Sequence, residues 1–103
     1  MPNRRLPRAS ELSNLTAFAR AYLHEDVLAE YGSVTAAAAA FVRDASSSER
    51  QAVTRELERV ARALNDRSAA EMSEFFSDTV RAGWTPSSRR QLRQLIARLK
   101  KGD

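Results

Sequence analysis

Apolar residues recur along most of the chain at steps of three and four positions, the spacing that places side chains on one face of an α-helix. The stripe of Val53, Leu57, Val60 and Leu64 is surrounded by charged residues, as in a helix with one buried face. Two further stripes consist of Leu12, Leu15 and Phe18 with Tyr22 or Leu23, and of Leu92, Leu95, Ile96 and Leu99. These patterns predict helices over residues 10 to about 23, 46 to about 64 and 89–101.

Two capping boxes mark helix starts, because Ser and Glu three positions apart can each satisfy a free backbone N–H group. One is Ser46 with Glu49, and the other is Ser68 with Glu71. The second box predicts a helix that Gly83 ends. Its inner face is expected to hold Met72, Phe75, Phe76, Thr79 and Val80.

Between these helices, residues 24–32 fit a short helical turn that Gly32 ends, and Ser33 caps a helix reaching Asp44. The alanine run at residues 36–40 permits close approach of neighbouring helices. Residues 84–88 read as a linker, since Pro86 is tolerated in the first turn of a helix. The sequence therefore predicts an all-α fold, a small bundle of four to five amphipathic helices.

The length of 103 residues fits one domain, which we place at residues 10–103 after a basic tail at residues 1–9. The composition, 43% hydrophobic and 29% charged, is that of a globular protein. The absence of Cys excludes disulfides and thiolate metal sites. No apolar run approaches the roughly 20 residues of a membrane span, and polar residues follow the first arginines where a signal peptide would be apolar.

The net charge of +4 is unevenly distributed. Residues 1–8 carry +3 and residues 81–103 carry +6, whereas residues 9–80 carry −5. An acidic body suits a basic partner, and a basic C-terminal helix suits phosphates, so charge alone leaves both possibilities open.

Catalytic chemistry has little support in the sequence. His24 with Glu25, Asp26 and Glu30 is the only cluster suggestive of acid–base catalysis or a metal, and a hydrogen-bonded structural histidine is the simpler interpretation. There is no phosphate loop or zinc-finger spacing. We therefore expect a protein that is not an enzyme and that uses no metal or cofactor.

The aromatic residues Trp84 and Tyr31 suit either the core, which we favour, or a partner interface. The C-terminal helix carries many arginines, but its apolar stripe packs one side inward and no aromatic residues interleave for base stacking. Direct nucleic-acid binding is thus the less favoured interpretation, and a small helical nucleic-acid-binding regulator is the alternative function.

Residues 18–33 contain an aromatic residue, His24, Asp26 two positions later and then Tyr31, Gly32 and Ser33. In order and spacing this segment resembles the signature of the contact-dependent growth inhibition immunity proteins, CdiI, although Val27 stands where that pattern usually carries Trp. The turn at residues 84–86 and the closing helix resemble other parts of such proteins.

The resemblance implies a cytoplasmic antitoxin that binds the C-terminal domain of a cognate toxin and blocks its active site or substrate access. The resemblance also implies a nuclease toxin, since many toxins of these systems are nucleases, and the basic nucleic-acid-binding surface of a nuclease would complement the acidic body. We expect a monomer or weak dimer with no membrane association.

Two groups of residues are expected to matter. The predicted toxin-binding residues are, first, Glu25, Asp26 and Glu30 and, second, Glu56, Asp66, Glu71 and Glu74. The predicted structural junction between the first two helices consists of Tyr22, His24, Tyr31 and Gly32, together with Asp26.

Overall fold

The computed structural model describes residues 6–101. The expected basic residues Arg4 and Arg5 lie outside this part of the chain. Leu6 packs against the core and Pro7 is buried, and the boundary between tail and domain at residue 10 stays a prediction.

Six α-helices make up most of the described chain, and it contains no β-strand, which confirms the all-α prediction. They are α1 (Ser13–Tyr22), α2 (Val27–Tyr31), α3 (Val34–Asp44), α4 (Ser47–Ala63), α5 (Ala69–Phe75) and α6 (Arg89–Lys101). A 3-10 turn, Ala9–Glu11, precedes α1, and a π-helical turn, Phe76–Val80, continues α5.

The core lies where the apolar stripes meet. Helix α4 packs against α1 and α6, and α3 packs against the same two helices. The predicted stripe of α4 is buried throughout, and Leu92, Leu95 and Leu99 of α6 are also buried. At the end of the α1 stripe, Leu23 is fully buried whereas Tyr22 is half-buried, so Leu23 is the core residue of the two.

Helix α3 is thin where it packs. Ala37, Ala38 and Ala40 are buried, and the larger Phe41 and Val42 fill the space near its C-terminal end. Small side chains let helix backbones come close, which explains how α3 can contact α1, α2 and α6.

The predicted caps at the helix starts are present. Ser33 Oγ accepts a hydrogen bond from the Ala36 N–H group at 3.0 Å. Both Ser–Glu capping boxes are formed at the starts of α4 and α5.

Two predicted boundaries are wrong. Helix α1 begins at Ser13 rather than at residue 10, because Leu12 leaves helical geometry (φ −125°, ψ 35°) after the 3-10 turn. The helix predicted from the second capping box ends at Val80, and the next residue, Arg81, adopts the left-handed conformation (φ 64°, ψ 33°), so Gly83 is not its terminator.

Candidate functional site

A backbone clamp joins the end of α1 to the loop before α6. The Leu23 carbonyl oxygen accepts hydrogen bonds from the N–H groups of Gly83, at 2.8 Å, and Trp84, at 3.0 Å. Residues 60 positions apart in sequence are thereby held together. The position of Leu23, from which the segment at residues 24–26 continues, is fixed by these hydrogen bonds.

Gly83 is required by this close approach and not by its backbone angles. A Cβ atom added at Gly83 would overlap with the amide nitrogen of Glu25 and would lie 2.7 Å from the carbonyl carbon of His24. Both atoms belong to the backbone and cannot move aside by a side-chain rotation. The sequence gives no sign of this contact, because it joins distant parts of the chain.

His24 organises the turn that follows. Its Nδ1 atom accepts a hydrogen bond from the Asp26 N–H group at 3.1 Å. In the neutral ring the proton therefore resides on Nε2, which lies 3.2 Å from Glu30 Oε1 and can donate to it. His24 thus connects the start of the turn to α2 through both ring nitrogens.

Aromatic rings surround the same junction. The ring of Tyr22 lies 5.4 Å from that of Phe41 and 6.1 Å from that of Tyr31, centroid to centroid. The Tyr22 hydroxyl donates to Asp44 Oδ2 at 3.2 Å. Desolvation of the ring raises the pKa of Tyr22, and the hydrogen bond to Asp44 raises it further, so the hydroxyl remains a donor at neutral pH.

Gly32 ends α2 as the spacing predicts. Its φ of 87° lies in the region that glycine adopts most easily, and its N–H group donates to the Leu28 carbonyl at 2.9 Å. The structure places Tyr22, His24, Tyr31 and Gly32 at one junction, and their contribution to stability stays a prediction.

The acidic residues predicted to bind a partner fall into two kinds. Glu25 and Asp26 are exposed, and within residues 6–101 their carboxylates have no hydrogen bond or ion pair. Glu30 is exposed and pairs with His24. These three residues, which we term the acidic segment, lie on and just before α2.

Glu56 and Glu71 are instead used within the fold. Glu56 accepts hydrogen bonds from the Leu15 N–H group and the Asn14 side chain, both at 2.7 Å. Glu71 accepts from the Ser68 N–H group at 3.0 Å, and this bond lowers the pKa of its carboxyl group.

A second acidic surface lies along α5 and the π-helical turn that continues it. Glu71, Glu74 and Asp78 line a shallow groove beside Phe75 and Leu64. Glu74 is exposed, as is Asp66 in the turn before α5. The predicted acidic residues therefore belong to different elements, α2 with its preceding turn, α4, and α5 with its preceding turn.

An apolar surface that sequence reasoning missed lies next to the acidic segment. Leu28 of α2 is 58% exposed and is the only large hydrophobic side chain so exposed within residues 6–101. It borders an open groove of about 290 Å³, which we term the α2–α6 groove. Its other principal lining residues are Val34, Trp84, Gln91, Gln94 and Leu95.

Trp84 is half-buried, packing against the core while also lining this groove. Its position satisfies both interpretations of the sequence, as core residue and as surface anchor. Helical periodicity could not reveal the groove, because its walls come from α2, α3, α6 and a loop.

A model of a known protein family, described as CdiI immunity protein, matches residues 11–100. The match includes the clamp, the acidic segment and the α2–α6 groove. The chain belongs to the CdiI immunity protein family. The resemblance of residues 18–33 to this family is thus confirmed. Searches of curated proteins and of solved structures found no match.

CdiI immunity proteins neutralise contact-dependent growth inhibition toxins. For this CdiI protein, the partner is therefore a cognate toxin protein, and the functional site is a protein-binding surface. Within residues 6–101, no group of three His, Asp or Glu side chains is placed to hold a metal ion. No helix in the same part of the CdiI chain is long and apolar enough to cross a bilayer.

The basic helix α6 of this CdiI protein is partly engaged in internal contacts. The Arg89 guanidinium donates to the carbonyl oxygens of Asn65 and Arg67, the latter at 2.7 Å, after the end of α4. Lys100 pairs with Glu58 at 3.1 Å. Arg90 and Arg93 are exposed on its outer side.

Proposed function

We propose that this CdiI protein binds the C-terminal nuclease domain of its cognate toxin through the acidic segment and blocks the nuclease active site or its access to nucleic acid. Family membership supports neutralisation of a toxin. The unpartnered carboxylates of Glu25 and Asp26 are the observation that carries the choice of surface. A nuclease has cationic side chains that bind the phosphates of its substrate, and the carboxylates of an inhibitor can pair with the same side chains.

The carboxylates must act locally, because the whole chain has a net charge of +4 and does not attract a basic domain by its total charge. Glu25, Asp26 and Glu30 lie within six residues, so their fields add over a short distance. The exposed Asp66 and Glu74 are the second choice. Glu56 and Glu71 also remain proposed toxin-binding residues, although their carboxylates accept hydrogen bonds within the fold.

The probe for this proposal is the C-terminal domain of the cognate toxin, which we expect to be a large exported protein encoded immediately upstream. We would measure its association and dissociation rates with the CdiI protein across a salt series, because surface charges act mainly on association. Glu25→Lys/Glu30→Lys should slow association at low salt and reduce the salt dependence. Inhibition of nuclease activity and protection of cells should decline in parallel.

Asp66→Lys/Glu74→Lys is the matched control, because it changes the net charge equally at the second acidic surface. A larger effect of the α2 reversal supports the proposed surface. Equal association rates for the wild type and the α2 variant at every salt concentration would eliminate it, and a larger effect of the α5 variant would transfer the role to that surface.

We further propose that the protein acts in the cytoplasm as a monomer or weak dimer, without catalysis, metal or cofactor. The toxin attacks the cell interior under this proposal, so its inhibitor must meet it there. Light scattering of the purified chain and elemental analysis test the oligomeric state and the metal content.

The alternative function is a nucleic-acid-binding regulator that uses α6. The observation in its favour is the exposure of Arg90 and Arg93 on one side of that helix. Gel-shift titration with duplex DNA and with RNA, followed by Arg90→Ala/Arg93→Ala, tests it. Tight binding that this variant abolishes would favour the regulator over the inhibitor.

A further inference from the structure

We infer that the α2–α6 groove is the anchor site of the toxin interface and takes an apolar side chain of the toxin domain whose neighbouring Lys or Arg reaches Glu25 or Asp26. This inference rests on the proposed function. In the proposed function, charges bring the partners together. The inference adds an apolar contact that holds the complex together.

The exposure of Leu28 is the first observation. Leu28 is 58% exposed, and the exposed part of its side chain contributes no hydrophobic stabilisation to the isolated fold. Burial against a partner would recover that contribution. Single exposed leucines are common on proteins, so exposure alone does not mark a binding site, and the surroundings of Leu28 distinguish it.

Those surroundings form an apolar floor with polar edges. Val34 and Trp84 are half-buried and Leu95 is 1% exposed, so a side chain entering the groove meets apolar atoms. Gln91 and Gln94 offer amide donors and acceptors at one edge. The volume of about 290 Å³ suits one or two side chains, because it is close to the lower end of small-molecule pockets, about 300 Å³.

Charge decides the kind of occupant. Glu25 and Asp26 lie three and two positions before the groove residue Leu28 and have no partner within residues 6–101, so their carboxylates are free to pair with a cation of the toxin domain. An apolar centre with charged groups at its rim is the usual arrangement of protein interfaces. A toxin segment with an apolar residue beside Lys or Arg matches both features.

The groove is also held in place before a partner arrives. The N–H group of Trp84 donates to Leu23, and its neighbour Gly83 lies against the backbone of His24 and Glu25. The apolar wall and the acidic segment are therefore fixed relative to each other. A preformed site loses little conformational entropy on binding, which favours slow dissociation.

Leu28→Ser in the full chain separates this inference from the proposed function. Because the side chain is exposed, the melting temperature should stay within about 2 °C of the wild type, a change below 1 kcal/mol for a chain of this size. With the toxin domain as probe, dissociation should accelerate about tenfold, equivalent to 1.4 kcal/mol. The association rate should change less than twofold.

Ala29→Ser is the matched control, because residue 29 is exposed on the same helix and does not line the groove. It should dissociate as the wild type does. Trp84, the single tryptophan of the chain, provides a second readout. Its acrylamide quenching should decrease on binding a toxin domain whose own tryptophans have been replaced.

The outcomes are distinct. Failure of the wild type to bind the toxin domain would remove the proposed function together with this inference. Normal wild-type binding with unchanged dissociation of Leu28→Ser and unchanged quenching of Trp84 would overturn the groove alone. A wild-type dimer that Leu28→Ser converts to a monomer would overturn it in favour of a second copy as the occupant.

Discussion

Glu56 in the middle of α4 caps the start of α1, accepting a hydrogen bond from the backbone N–H group of Leu15 at 2.7 Å. Leu15 is the third residue of α1, where N–H groups have no partner within the helix. Leu12, the residue immediately before α1, has an apolar side chain and cannot accept this hydrogen bond. The carboxylate of Glu56, 41 positions after Leu15, accepts it instead.

Glu56→Ala should therefore destabilise the protein by about 1 to 2 kcal/mol, the range for loss of a helix cap. Urea denaturation followed by circular dichroism measures the change. Glu74→Ala serves as the control, because its exposed carboxylate has no partner within residues 6–101, and it should stay within about 0.5 kcal/mol. Equal stability of the two variants would contradict the role of Glu56 as a cap.

Gly83→Ala should be more disruptive than Gly32→Ala. The first forces the Glu25 backbone to move and should cost about 3 kcal/mol, near the upper end for overpacking. The second has free space around the new Cβ atom and suffers only from φ 87°, a cost of about 1 kcal/mol.

Thermal unfolding of both glycine variants gives the order. Should Gly32→Ala or Gly32→Val leave the melting temperature unchanged while abolishing toxin binding, the junction would be a contact surface and its predicted structural role would be wrong.

Arg81→Gly should stabilise the fold by about 0.5 to 1 kcal/mol. Arg81 adopts φ 64° after the π-helical turn, and the left-handed conformation costs a residue with a Cβ atom about 1 to 2 kcal/mol. The greater flexibility of glycine in the unfolded chain offsets part of the gain. Arg81→Ala keeps the Cβ atom and should give no gain, so chemical denaturation of both variants distinguishes backbone strain from loss of charge.

Stability should decrease in acid because of the two capping boxes. The Ser46 N–H group lowers the pKa of Glu49, and the Ser68 N–H group does so for Glu71. A carboxyl group with a lower pKa when folded stabilises the protein above its unfolded pKa, about 4.3 for glutamate. That contribution disappears as the pH falls through the folded pKa.

Melting temperatures between pH 7 and pH 3 test this expectation. Glu49→Gln/Glu71→Gln should flatten the acid part of the profile relative to the wild type. A profile as steep as that of the wild type would assign the acid sensitivity to other carboxyl groups.

The helices were predictable because their signals are local. The stripe from Val53 to Leu64 needs only 3.6 residues per turn, and the boxes at Ser46 and Ser68 need only a spacing of three. Contacts between distant residues left no such signal. Gly83 follows a predicted helix, and the sequence therefore indicates that it is the terminator of that helix. Its actual role depends on its contact in space with the backbone of residues 24 and 25, which periodicity cannot reveal.

The candidate site was predictable to the extent that charge is visible in sequence. The acidic segment stands out because three carboxylates occur within six residues. Whether a carboxylate is free depends on what folding brings beside it, and Glu56 and Glu25 look alike until α1 is placed on α4. The groove beside Leu28 has no signature of its own, since it forms where three helices and a loop converge.

The clamp on Leu23 has a consequence for how such proteins diversify. It is made by main-chain atoms, and besides glycine at position 83 it demands no particular side chain. Substitutions at positions 25, 26 and 28 can therefore accumulate without disturbing the scaffold that presents them. Under the proposed toxin interface, a few codon changes in this stretch would retune immunity to a new toxin while the inherited architecture is retained.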